Sequence, residues 1–111
     1  MNFNEYQKEI VESRIVKKDK VIDYLAYAAL GLVEEAGETA GKLKKIIRDK
    51  NGVVSEKDRQ ELVKELGDTL WYLTDMAYDL GVTLEQVATS NLEKVRDRAN
   101  RGVISGQGDN R

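Results

Sequence analysis

The chain has 111 residues and a net charge of −2, the length of one domain with a modest core and no broad cationic footprint for nucleic acid. It contains no cysteine, which excludes disulfides and thiolate zinc sites. It contains no histidine either, which excludes histidine acid–base catalysis, Ser-His-Asp triads and the Glu-x-x-His ligands of di-iron bundles.

No proline occurs, which suits long uninterrupted helices. There is no apolar signal core and no run long enough to cross a membrane, so a cytoplasmic location is expected. The first segment, about Asn4 to Lys17, carries an imperfect helical stripe of Tyr6, Ile10, Ile15 and Val16. The charged stretch Lys17 to Lys20 reads as a connection. Val21 to Lys50 reads as the longest helix, with Leu25, Ala29, Leu32, Ala36, Leu43 and Ile47 on one face. Tyr24 to Val33 is apolar nearly all round and is expected to be buried on several sides. Gly31, Gly37 and Gly41 lie inside this helix, where each costs roughly 1 kcal/mol against alanine. They serve close helix packing or leave room for a ligand, and the two readings are compatible.

Asn51-Gly52 is the expected helix stop. Ser55-x-x-Asp58 resembles a capping box opening a third helix, with Leu62, Leu66, Leu73, Ala77 and Leu80 as its core stripe and Gly81 at its end. Thr83-x-x-Gln86 opens a fourth helix, striped by Leu84, Ala88, Leu92, Val95 and Ala99, that runs to about Asn100. The expected organisation is one helical domain over residues 1–100 and a glycine-rich tail over 101–111. The tail reads as a flexible terminus, or as a segment whose glycines and arginines fold over an anionic ligand. The fold class is all-α: an antiparallel bundle of about four helices, in which assembly into an oligomer would add apolar burial.

Two acidic motifs flank the turn, Glu35-x-x-Glu38 and Glu65-x-x-Asp68. Residues three apart share a helix face, so each motif sets two carboxylates side by side. Both motifs stand about 15 residues from Asn51-Gly52, roughly 22 Å at helical rise, and come level if the chain returns antiparallel. Four carboxylates facing one space repel, and a hard divalent cation such as Mg²⁺ or Mn²⁺ is the natural remedy. By helical wheel Glu35, Glu65 and Tyr72 border the core stripe, Glu38 and Asp68 lie further out, and Glu34 points to solvent or another subunit. The fourth helix carries Asn91, Lys94 and Arg98 on one flank, cations suited to neutralise a metal-bound polyphosphate. Trp71 lies nearly opposite the core stripe and suggests a subunit contact, with base stacking as the other reading.

The pattern Glu35-x-x-Glu38, spacer, Glu65-x-x-Asp68, set in Gly31-Leu32-x-Glu34-Glu35-x-Gly37-Glu38 and Glu65-Leu66-Gly67-Asp68 and followed by Tyr72, resembles the MazG-like all-α nucleoside triphosphate pyrophosphohydrolases. The resemblance runs from about Tyr24 to Arg98, and the segment Gly106-x-Gly108-Asp109-Asn110-Arg111 is similar to the tails of small phage-associated members. It implies helical-bundle dimers or tetramers that hydrolyse a nucleoside triphosphate between the α and β phosphates, giving a monophosphate (NMP or dNMP) and pyrophosphate. It implies Mg²⁺ held by Glu35, Glu38, Glu65 and Asp68, Tyr72 near the nucleotide, and Asn91 and Lys94 at phosphate or sugar. Some relatives bear aromatic base-binding residues after the first motif. Here that region is Lys42-Leu43-Lys44-Lys45, so base selectivity does not carry over. In this reading Glu35 or Glu38 orients the attacking water. Neither a nucleic acid nor a membrane is an expected partner. The alternative is a non-catalytic helical module that oligomerises or binds a protein.

Overall fold

The structure, a computed structural model, describes residues 1–15 and 20–111. Four helices, and no strand among the described residues, make up the fold: α1 (Phe3–Glu12), α2 (Val21–Lys50), α3 (Glu56–Asp79) and α4 (Leu84–Asn100). Their starts follow from local chemistry. Asn2 with Glu5, Ser55 with Asp58 and Thr83 with Gln86 each form a reciprocal capping box, satisfying backbone donors that a helix leaves unpaired. The Asn2 box opens α1 before the expected Asn4. That helix also ends earlier than expected, at Glu12. Ser13 caps it, and Arg14 and Ile15 are not helical. The rest of the expected stripe, Val16, and most of the expected connection at Lys17 to Lys20 lie outside the described residues.

α2 stops where Asn51 enters the left-handed region (φ 54°) and Gly52 follows it (φ 76°), so that the Gly52 N–H donates back to the Ile46 carbonyl. The chain then returns as α3, and α2 and α3 pack as an antiparallel hairpin that forms the main helix pair. α1 packs on α3 and α4, and α4 packs on α1 and α3 but not on α2. Buried Gln7 fixes this second layer. Its amide donates to the Val82 carbonyl (3.0 Å) and its oxygen accepts from the Leu84 N–H (2.8 Å), which staples α1 to the α3–α4 turn.

The buried face of α2 differs from the expected stripe. Ala28, Gly31 and Ile46 are buried, and Glu35, Thr39 and Lys42 continue the same line half-buried, so the seam with α3 is partly polar. The expected core residues Leu43 and Ile47 are exposed, as are Leu66 of α3, Leu80 at its C-cap, and Leu92 and Val95 of α4. Tyr24 to Val33 is not buried all round: Leu30 and Val33 face solvent. The buried apolar set among the described residues is Ala28, Ile46, Ala77 and Leu84. The radius of gyration is 16.9 Å, against about 13 Å for a compact chain of this length. The helices therefore form an open arrangement.

The glycine-rich tail is not an extended loose end. Arg111 donates to the carbonyls of Val103, Ile104 and Gly108, Arg101 donates to the carbonyl of Arg111, and Arg98 donates to the carbonyl of Asp109. These bonds fold residues 101–111 back over the end of α4.

Candidate metal and nucleotide site

The α2–α3 seam brings together Glu35, Glu38 and Glu65: one carboxylate oxygen of each lies within 4.8 Å of the others. Glu65 is the buried member, at 7% exposure, Glu35 is half-buried and Glu38 is exposed. The wheel set Glu65 on the border of the core, whereas it sits within the seam itself. Asp68, one turn further along α3, is exposed and outside this trio, yet it shares a cavity wall with Glu35. Crowding has an electrostatic signature. Burial pushes the Glu35 carboxyl above the usual range, and the neighbouring charges of Glu38, Asp68, Glu65 and Glu34 push it the same way. An all-oxygen donor set of this kind suits a hard divalent cation, so the residues present fit the expected metal.

A cation of the chain itself also enters the cluster. Lys42 Nζ lies 2.8 Å from Glu65 Oε1 and 3.4 Å from Glu61 Oε2. The hydrogen bond to Glu65 holds the Lys42 ammonium above its ordinary pKa.

Beside the acids is a cavity of about 400 Å³, within the size range of small-molecule sites. Tyr24, Tyr27, Trp71 and Tyr72 line it together with Glu35, Asp68, Asp75 and Arg14. Trp71 therefore does not stand on an outer face. It is half-buried and meets Tyr72 edge-on, with ring centroids 5.0 Å apart at 74°. Tyr72 also packs near Tyr27, at 6.2 Å, and its ring lies over Gly31. A Cβ at Gly31 would fall 2.2–2.5 Å from that ring, so this glycine serves close packing. At Gly37, Gly41 and Gly67 a Cβ would meet nothing within 4 Å, so these positions border open space. Burial raises the Tyr72 hydroxyl pKa, and Tyr27, Glu35 and Glu34 add to it, so the group stays a neutral donor beside the acids. Burial raises the pKa of Tyr6 on α1 as well, and the Asp68 charge adds to it.

Arg14 closes the far wall. It pairs with Asp75 and Asp79, each at 2.8 Å, and its guanidinium lies over the rings of Tyr24 (4.6 Å) and Tyr78 (5.2 Å). Burial raises the Asp75 carboxyl while Arg14 opposes the shift. Sequence reasoning missed Arg14, Gln7 and Lys42. The one available signal was Asp75-x-x-x-Asp79, two acids one turn apart on a helix, which call for a cation between them.

The flank of α4 lies elsewhere. Asn91, Lys94 and Arg98 do not line the aromatic cavity, and Lys94 and Arg98 are engaged by the tail through Asp109 at 3.2 and 3.3 Å. Within one chain, then, the expected phosphate-binding cations and the acids belong to different helix pairs.

Residues 25–103 match the sequence model of the family described as MazG nucleotide pyrophosphohydrolase domain. Among curated proteins the chain is similar to the Gene 37 protein of Mycobacterium phage L5, 51% identical over 90 residues that cover 81% of this chain and 79% of the relative. No solved structure matches.

Proposed function

The chain belongs to the MazG nucleotide pyrophosphohydrolase domain family, and from that premise we propose that it hydrolyses a nucleoside triphosphate between the α and β phosphates with a divalent cation, Mg²⁺ or Mn²⁺. The products are a nucleoside monophosphate and pyrophosphate. The observation that carries this reading is the convergence of Glu35, Glu38 and Glu65 from two helices beside an aromatic cavity.

In this reading Glu35, Glu38, Glu65 and Asp68 hold the cation. When bound, the cation supplies charge neutralisation on the phosphate oxygens and a lowered pKa for coordinated water. Glu35 or Glu38 orients the attacking water. The water oxygen bonds to one phosphorus of the α–β bridge, and the bridging oxygen departs with the other phosphate. Tyr72 offers a neutral hydroxyl donor to the nucleotide, and Trp71 and Tyr27 offer ring surface to the base. Asn91, Lys94 and Arg98 serve the phosphates or sugar.

The same reading includes assembly as a homodimer or homotetramer. Among the described residues few apolar side chains are buried, and with the open arrangement this leaves much of the apolar surface of α2, α3 and α4 in water. Assembly would also give α4 of one copy a route to the acids of another.

The test is product analysis on a panel of nucleoside triphosphates with Mg²⁺. Wild type is expected to release monophosphate and pyrophosphate, and Glu38→Gln to lose activity by about a hundredfold or more. Orthophosphate as the product, or a Glu38→Gln protein that turns over like wild type, would overturn the assignment.

A further inference from the structure

Lys42 stands one turn after Glu38 and two turns after Glu35, on the line of α2 that faces α3. Its side chain is 33% exposed, and its ammonium lies 2.8 Å from buried Glu65. The same Glu65 contributes an oxygen to the three-carboxylate cluster. Lys42 therefore holds a positive charge against the most buried acid of a site whose acids otherwise repel one another.

Two cations compete for one carboxylate in this arrangement. A divalent ion reaching Glu65 meets the Lys42 ammonium on the same group. It must either displace the ammonium or bear the repulsion of a like charge a few ångströms away. Glu61, which also pairs with Lys64 through its other oxygen at 3.0 Å, offers Lys42 a second, more exposed partner at 3.4 Å. Resting on the metal-site reading above, we propose that Lys42 is the built-in counter-ion of the acidic cluster, which competes with the divalent cation for Glu65. It stabilises the metal-free fold and weakens metal binding in the absence of nucleotide. Lys42 is a positioning residue in this role, because it acts through Glu65.

The test is titration of Mg²⁺ and Mn²⁺ into nucleotide-free protein by calorimetry, with melting temperatures recorded in chelator and in metal. Lys42→Met keeps the length of the stem and removes the charge. It is expected to melt lower than wild type in chelator, to bind the divalent ion about fivefold tighter or more, and to gain more from metal on melting. Lys42→Arg is expected to stay close to wild type. Lys42→Gln, run in parallel, reads the same loss of charge should the methionine variant not fold. An unchanged or weaker metal affinity in the charge-free variants overturns the proposal while leaving the metal site standing. No response to either metal in any of the proteins overturns the metal-site reading and the proposal with it.

Discussion

Gly31 and Tyr72 illustrate how single positions build the site. The Tyr72 ring occupies the space a side chain at residue 31 would need, so the aromatic wall comes close to Glu35 only because residue 31 has no Cβ. Gly31→Ala forces that ring to move. It is expected to cost about 1–3 kcal/mol in chemical denaturation, the range for overpacking, and to lower turnover by displacing Tyr72. A variant as stable and active as wild type would show that the ring has a second comfortable position. At this scale the acids were legible because helical spacing is local arithmetic: three and four residues apart means one face. Lys42, Arg14 and Gln7 were not, because their partners lie 19 to 77 positions away in the chain and no local pattern announces them.

Helix starts and stops were legible for the same local reason. The boxes at Ser55 and Thr83 and the stop at Asn51-Gly52 are read from four or five consecutive residues, and the structure has them there. The end of α1 and the docking of the tail were not, since both depend on contacts with other elements. The Ser55 box also makes a pH prediction. The Asp58 carboxylate accepts from the Lys50 ammonium and from the Ser55 hydroxyl and N–H, which hold its pKa down to about 2 from an ordinary 3.8. A carboxyl whose folded pKa is depressed contributes stability above its unfolded pKa and loses it as pH falls through the folded value. The contribution is therefore complete above about pH 4 and gone by about pH 2. Wild type is expected to melt above Asp58→Asn at pH 5, with the gap closing between pH 4 and pH 2. A gap that persists unchanged at pH 2 would show that the hydrogen bonds of the cap do not depend on its charge.

At the scale of the whole molecule, the apolar stripe read from α2 is real but faces the wrong way for a single chain. Leu25, Ala29, Leu32, Ala36, Leu43 and Ile47 lie roughly 65–125° round the helix from the seam with α3, and Leu62, Leu66, Leu73 and Leu80 lie roughly 70–110° round α3. In an antiparallel hairpin these two flanks fall on the same side, and Glu38 and Asp68 fall on the other. The hairpin thus has an apolar side and an acidic side, joined by a seam that carries Glu35, Lys42 and Glu65. A periodicity argument finds the widest apolar stripe and assigns it to the core; it cannot tell burial within a chain from burial between chains. The seam, being half polar, was passed over. Leu66, 59% exposed, tests which kind of burial applies. In an isolated chain Leu66→Glu is a surface substitution, expected to change stability by no more than about 0.5 kcal/mol. If the apolar side is closed by a second copy, the variant is expected to sediment as a smaller species than wild type and to melt lower, with wild-type melting rising with protein concentration. A wild-type chain that sediments as a monomer, together with a Leu66→Glu variant of equal melting temperature, would mean that this side of the hairpin is not where copies of the chain meet.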